Sequence, residues 1–471
     1  MTQNIPIELG TQSVKKLLRQ YALPAIIAMT ASSLYNMVDS IYIGQGVGNM
    51  AISGLAVTFP LMNISAAFGT LVGVGGAALV SMLLGQKNYT VARKVLGNVM
   101  TLNVFVGLLI TVVGLLFINP ILYFFGASEN TIFYAREYMT IILVGNIVTH
   151  LYFGLNAMMR SSGHPRTAMW ATILTVVLNA ILDPIFIFVL DMGIRGAAIA
   201  TIIAQVVSLV WLLMLFSRKN EVLHFERRVF TLDWKIAKES IAIGLAPFLM
   251  NLASCFVVIL INNRLHKYGS ELEVDGGGDL AIGAYGIINR IAFLFVMIVM
   301  GFTQGMQPIV GYNYGAGQYD RVTTALWRTI MWATIVTTTG FLIGMLCPRI
   351  AVAAFTSDPT LIDLAAKGLT ITLAVFPIVG MQMVASNFFQ SIGMPSRAIF
   401  LSLSRQVLFL IPCLIVLPLF FGLEGVWISM PVSDTVATVV AVVMLVDIAK
   451  RFKRSPQTIG FKGIDDKTEQ L

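Results

Sequence analysis

The sequence predicts an all-α polytopic membrane protein, with twelve transmembrane helices in two pseudo-symmetric six-helix lobes around a central cleft. Composition gives the class: of 471 residues, 57% are hydrophobic and 11% charged, and the mean hydropathy is +0.83. Soluble domains carry about 25% charged residues. The number of helices follows from the apolar runs, and the two lobes follow from an internal repeat.

The apolar runs are long enough to cross a bilayer, since a spanning helix needs about 20 residues. Alternation with a period of two residues, the pattern of membrane barrels, is nowhere sustained. The predicted spans are 17–43, 52–83, 95–118, 131–157, 164–190, 195–216, 237–266, 281–311, 322–345, 361–389, 396–420 and 424–449.

The two halves of the chain resemble each other. Gly85-Gln-Lys-Asn-Tyr89 corresponds to Gly315-Ala-Gly-Gln-Tyr319, and Arg160-Ser-Ser-Gly-His-Pro-Arg166 to Gln390-Ser-Ile-Gly-Met-Pro-Ser396, both at an offset of 230 residues. Six helices therefore duplicate into twelve. Because six is even, both halves insert with the same orientation, and two facing bundles enclose a cleft.

The predicted organisation has four parts. Residues 1–216 form the amino-terminal lobe, 217–236 a basic cytoplasmic linker, 237–450 the carboxy-terminal lobe, and 451–471 a polar cytoplasmic tail.

The formal charge of +8 does not indicate a nucleic-acid partner. Lys and Arg concentrate before the first span, in the even-numbered connections and in the tail. This is the positive-inside pattern. It predicts a multi-pass protein of the plasma (cytoplasmic or inner) membrane with both termini in the cytoplasm, and the lipid bilayer as its surroundings.

Asp39 and Asp183 lie in apolar spans, where a charged side chain costs about 2.5–3.5 kcal/mol on insertion scales. Their counterparts in the second half are Asn262 and Cys413, so a cation site is predicted in the amino-terminal lobe. Pro184 favours a kink beside it because proline has no N–H. H⁺ and Na⁺ both fit these acids. The alternative is that the acids only join helices by hydrogen bonds.

Other intramembrane charges have a structural interpretation. Arg405 and Asp434 are predicted to neutralise each other across the last two helices, with a substrate or proton role as the alternative.

The three cysteines are too scattered for a disulfide framework. Motifs of zinc hydrolases, serine hydrolases and Walker-type ATPases are absent from the sequence. We therefore expect neither an enzyme nor a cofactor, and energy must come from an ion gradient.

Three segments carry a family resemblance. Tyr35-Asn-Met-Val-Asp-Ser-Ile-Tyr-Ile-Gly44, Arg160-Ser-Ser-Gly-His-Pro165 and Leu178-Asn-Ala-Ile-Leu-Asp-Pro-Ile-Phe186 resemble the multidrug and toxic compound extrusion (MATE) family. The location of the acids in the amino-terminal lobe resembles the DinF-type branch of this family rather than the NorM-type branch.

The resemblance implies a secondary antiporter that exports organic cations or drug-like compounds in exchange for H⁺ or Na⁺ by alternating access. A monomer would be sufficient for this mechanism. The implied ion-coupling residues, which would also be the Na⁺ ligands, are Asp39, Asn179, Asp183 and Thr201, with Tyr138 nearby. The predicted substrate cleft contains Tyr35, Asn36, Asn156 and Arg290.

Two alternatives remain. A flippase for lipid-linked precursors, from a related superfamily, would need several basic side chains in its cavity to hold a pyrophosphate, and the candidates are Arg290 and Arg405. A membrane receptor or structural component would show no ion-dependent movement of ligand.

Overall fold

The computed structural model describes residues 6–226, 231–271 and 276–454, except the side chains of Asn36, Met37, Asn49 and Arg454. Within these ranges the regular secondary structure is helical. Nine of the described helices are long and apolar enough to span a membrane, and two bent pairs raise the number to eleven. One of the nine, Pro395–Lys453, has 59 residues, about 88 Å of helix for a bilayer core of about 30 Å.

This long helix breaks at Gly422, whose φ of 54° and ψ of −134° lie outside the helical region. It therefore contains two spans, and the predicted total of twelve is confirmed. In chain order the spans are α1 Val14–Gly46, α2 Asn49–Gly85, α3 Tyr89–Leu116, α4 Ile132–Val144 with Asn146–Ser161, α5 Pro165–Pro184 with Ile185–Val189, α6 Gly193–Phe216, α7 Trp234–Gly269, α8 Gly277–Gly315, α9 Tyr319–Leu346, α10 Pro359–Thr372 with Phe376–Ser391, α11 395–421 and α12 423–454.

Within the described ranges, four spans contain a bend or a π-helical segment, which in α11 is Ser404–Leu410. α4 bends by 55° and α10 by 57°, at equivalent places in the two halves, although the sequence predicted continuous spans there. α5 continues after Pro184 as a π-helical turn, Ile185–Val189. A proline leaves a carbonyl unpaired and π-turns often accompany such irregularities, so the helical hydrogen bonding is irregular beside Pro184, whereas the kink predicted there stays a prediction.

The two lobes meet where α1 and α2 pack against α7 and α8. Glycines allow the backbones to touch. A methyl group on Gly75 of α2 would overlap the carbonyl oxygen of Ser240 in α7, and one on Gly244 would overlap that of Leu71. The interface is therefore closed by backbone contact, as in small-residue packing of membrane helices.

Further close contacts lie at the ends of α2 and α8. Methyl groups on Gly85 and Gly315 would overlap the carbonyl oxygens of Tyr312 and Met82, respectively. These two glycines occupy equivalent positions in the repeat, so α2 and α8 cross near the pseudo-twofold axis. The contacts lie at the end of the molecule where α1 begins and α12 ends.

Farther from that end, the same helix faces are exposed. Asn251 follows Gly244 by seven residues, about two helical turns, and its side chain is exposed. The lobes therefore enclose a cleft that is closed at the end carrying the termini. The linker connects α6 to α7, and its residues 227–230 lie outside the described ranges, as does the tail beyond Arg454.

The predicted pairing of Arg405 with Asp434 is confirmed, with 2.6 Å between Arg405 Nε and Asp434 Oδ1. The Asp434 side chain is 11% exposed. Ser433 Oγ also donates to the carbonyl of Arg405 at 2.8 Å. The pair thus joins α11 to α12 inside the carboxy-terminal lobe.

Asp434→Asn should destabilise the protein by about 1–3 kcal/mol, since it leaves a partly buried guanidinium, 28% exposed, without its charged partner. The double variant Arg405→Met/Asp434→Leu should regain most of that loss. Thermal unfolding in detergent measures both. Arg349→Gln, which breaks an exposed pair with Asp363, is the control and should cost less than about 1 kcal/mol. A stable double variant that no longer transports would contradict a structural role.

Candidate functional site

Four helices of the amino-terminal lobe bring six of the predicted residues into one buried pocket. α1 supplies two of them, α4 one, α5 two and α6 one. Asp39 is 5% exposed and Asp183 0%. The members of this ion pocket are Tyr35, Asp39, Tyr138, Asn179, Asp183 and Thr201.

Asn179 is central to the pocket. Its Nδ2 donates to Asp183 Oδ1 at 3.1 Å and to Thr201 Oγ1 at 3.2 Å. Thr201 Oγ1 gives its own hydrogen to the carbonyl of Ala197 at 3.1 Å. Tyr35, whose hydroxyl lies 3.1 Å from Thr201 Oγ1, is therefore the donor in that contact. Tyr35 was predicted to line the cleft, and the structure places its hydroxyl in the ion pocket.

The carboxyl groups of Asp39 and Asp183 lie next to each other in this pocket. A direct hydrogen bond between them would need a proton on one of them, because two carboxylates have only acceptors. The spacing of four residues between Asn179 and Asp183 puts both on one face of α5. The structure thus brings together a carboxyl group of α1 and one of α5.

Three oxygen atoms in this pocket receive no hydrogen bond from any described residue: Asp39 Oδ1, Asp183 Oδ2 and Asn179 Oδ1. Buried polar atoms are usually paired, so each unpaired one calls for an explanation. The two carboxyl oxygens can accept protons, and all three oxygens can coordinate a hard cation, which prefers carboxylate and carbonyl oxygens.

The oxygen atoms of these side chains are suitable ligands for a Na⁺ ion. The described residues contain no group of three or more His, Cys, Asp and Glu side chains able to hold a metal ion. A cation in this pocket would be held by the two carboxyl groups together with the amide oxygen of Asn179. The hydroxyl of Thr201 accepts from Asn179 and Tyr35 and donates to the carbonyl of Ala197, so its hydrogen-bonding capacity is used. The Na⁺ ligands predicted from the sequence were the two aspartates, Asn179 and Thr201.

The remaining predicted residues lie elsewhere. Asn156 is 5% exposed inside the lobe, where it donates to the carbonyl of Ala168 and accepts from Arg160 Nη1. Asn156 was predicted to line the substrate cleft, and these two bonds hold its amide inside the lobe. Arg290 is exposed on α8. The side chain of Asn36 lies outside the described part of the chain.

Thr175, one turn before Asn179, is a polar residue of this region that was not predicted as part of the site. Its hydroxyl donates to Ser208 Oγ of α6 at 2.7 Å, which extends the polar contact of α5 with α6 beyond Asn179 and Thr201. The signal was present as polar residues at positions 175, 179 and 183, spaced by four.

Two six-helix lobes, a cleft between them and an intramembrane carboxyl pair are characteristic of membrane transporters. A family model described as MatE matches residues 24–185 and 272–416. The structure of the MATE multidrug transporter DinF-BH, determined as a complex with a ligand, superposes with a TM-score of 0.86 at 35% identity, covering 94% of this chain and 98% of that chain. The chain belongs to the MATE family, as its resemblance predicted, and these matched proteins are transporters, not enzymes.

A further relative and a further structure are also similar to this chain. The multidrug export protein MepA of Staphylococcus haemolyticus (strain JCSC1435) is 28% identical over 439 residues, 93% of this chain and 95% of that protein. A crystal structure of MATE in the bent conformation has a TM-score of 0.89 at 23% identity, with 97% of this chain and all of that chain covered. The latter likeness concerns the fold alone.

Proposed function

We propose that this transporter is a secondary antiporter that exports organic cations in exchange for H⁺ or Na⁺ by alternating access. The observation that carries the proposal is the carboxyl pair Asp39–Asp183, which together with Asn179 has three buried oxygen atoms without a hydrogen-bond partner among the described residues. A buried cluster of free acceptors suits a site that must bind and release a cation in each cycle. No cofactor takes part in this scheme.

In the proposed cycle, substrate and coupling ion compete for this pocket. While the cleft is open, H⁺ or Na⁺ reaches Asp39 and Asp183 and removes the negative charge that attracts the substrate. The organic cation is then released through the open end of the cleft. The lobes rock so that the other end opens, the coupling ion leaves there, and the carboxylates accept a new substrate. α1, with Pro24, and α5, with its π-turn, are the elements that repack.

The substrate class is supported by the cleft and by the relatives. Phe68 of α2 and Phe248 of α7 meet across the lobes, with ring centroids 4.6 Å apart, one to two turns from Gly75 and Gly244. They form an aromatic floor suited to flat organic cations. The names of MepA as a multidrug export protein and of DinF-BH as a multidrug transporter point to the same class.

We also propose an orientation of the chain in the membrane. The chain is a multi-pass membrane protein, and the basic residues of its connections favour the plasma membrane with both termini in the cytoplasm. The closed end of the cleft then faces the cytoplasm and the open end faces outward. Each monomer contains a complete cleft and ion pocket, so one copy is sufficient.

The flippase alternative loses support from the structure. Of the two arginines that could hold a pyrophosphate, Arg405 forms an ion pair with Asp434. Only Arg290 has no carboxylate partner within the described ranges. One arginine does not match the several charges of a pyrophosphate.

The proposal is tested with the purified chain in proteoliposomes containing a fluorescent organic cation. A pH gradient is imposed without Na⁺, and a Na⁺ gradient without a pH difference. We expect one of the two gradients to drive the cation against its concentration gradient, and the active gradient identifies the coupling ion. Protein that binds the cation yet moves it under neither gradient would refute antiport.

A further inference from the structure

Helix α8 presents an arginine to the cleft. The side of α8 that faces the amino-terminal lobe is fixed by two contacts with α1. A Cβ on Gly301 would lie 2.7 Å from Ile26 Cα, and one on Gly305 would lie 2.5 Å from Ala22 Cα. Between them, Gln304 Nε2 reaches Met29 Sδ at 3.3 Å.

Arg290 lies on the same side of α8. It precedes Gly301 by eleven residues, which is about three turns at 3.6 residues per turn, so the two positions differ by only about 20° around the axis. Near Gly301 this side is covered by α1, whereas at Arg290 it is exposed. The guanidinium therefore belongs to the wall of the cleft.

The depth of Arg290 follows from the same contacts. α1 and α8 are antiparallel, with Ala22 opposite Gly305 and Ile26 opposite Gly301. Extending this register puts Arg290 level with position 37 of α1. That is two residues from Asp39, about 3 Å along the helix axis. The arginine and the carboxyl pair thus lie at nearly the same depth in opposite lobes.

Arg290 pairs with no carboxylate among the described residues, while Arg405 and Arg397 of the same lobe pair with Asp434 and Asp447. The equivalent position in the amino-terminal lobe is Pro60. The charge is therefore not a shared feature of the repeated scaffold. An unpaired ionised side chain at membrane depth beside a cavity indicates a functional site.

We propose that Arg290 binds the carboxylate of zwitterionic substrates whose cationic group lies at Asp39 and Asp183. A guanidinium matches a carboxylate with two parallel N–H donors, and its depth suits a molecule that extends across the cleft. The same charge disfavours dications. This inference rests on the proposed function, because it assigns the second half of the same substrate site.

A pair of dyes tests the assignment. Rhodamine 6G is an ester and a cation, and its hydrolysed free acid has the same chromophore with an added carboxylate. Fluorescence anisotropy with the detergent-purified full chain gives both affinities. Arg290→Gln should weaken binding of the free acid at least about tenfold, in line with the loss of a charge-assisted hydrogen bond. It should strengthen binding of the ester.

Arg290→Lys should keep part of the affinity for the acid, and Arg328→Gln, at an exposed arginine of α9, should change neither affinity. Wild-type protein that fails to bind the acid would overturn the inference, as would Arg290→Gln protein that binds both dyes more weakly by the same factor. Because the readout is binding, a wild type that binds both dyes and transports neither refutes the antiport proposal separately from the role of Arg290.

Discussion

Asp39→Asn is expected to lower gradient-driven export of an organic cation at least tenfold, and Asp183→Asn to do the same. Each change replaces an ionisable oxygen of the pair with an amide that can neither attract a cation by charge nor exchange a proton. Losing one partner of a buried charge pair costs about 2–5 kcal/mol in complexes, and each 1.4 kcal/mol is about a factor of ten. Initial rates of dye efflux from proteoliposomes measure the effect.

Asp191→Asn is the matched control, because Asp191 is an exposed carboxylate just beyond α5 and its change should leave the rate unaltered. Equal incorporation of all variants is checked by protein content. If the acids merely join helices, the Asn variants keep hydrogen-bonding groups of similar size and export at the wild-type rate. That result would remove the ion pocket from the mechanism.

Gly244→Ala is expected to open the closed end of the cleft. The added methyl group would overlap the carbonyl oxygen of Leu71, and a backbone atom cannot turn away as a side chain can. Overpacking of this kind costs about 1–3 kcal/mol, enough to shift a two-state equilibrium about 5- to 150-fold. The shift should favour the conformation in which α2 and α7 separate at this end.

Distances between spin labels in a cysteine-free background measure this change. Thr90→Cys with Asp320→Cys reports on the closed end and Asn130→Cys with Thr360→Cys on the open end, since all four positions are exposed and each pair is related by the repeat. In Gly244→Ala the first distance should grow and the second shrink. Gly286→Ala, where the described atoms leave open space around the new methyl group, should change neither. Unchanged distances in Gly244→Ala would disprove the role of the glycine contact.

Much of this architecture is predictable from the sequence because membrane helices must be long and apolar. That requirement predicts all twelve spans, including the break near Gly422. Asp39 and Asp183 stand out because a bilayer penalises charge, and the spacing of Asn179 from Asp183 predicts a shared helix face. Arg405 and Asp434 pair for the same electrostatic reason.

Other features depend on tertiary contacts that periodicity does not encode. The bends of α4 and α10 lie at different residue types in the two halves, Gly145 in one and 373–375 in the other. Asn156 is directed into the lobe by its contacts with Arg160 and Ala168. Only the contacts of Gly301 and Gly305 define which side of α8 faces the cleft.

The most direct test of the ion pocket is to count the protons that the purified protein releases when it binds an organic cation without Na⁺ present. If substrate and proton compete for Asp39 and Asp183, the wild type should release about one proton per bound cation, as binding linked to deprotonation requires. Asp39→Asn should release fewer. A release that is equal in the wild type and in both Asn variants would contradict competition at this carboxyl pair.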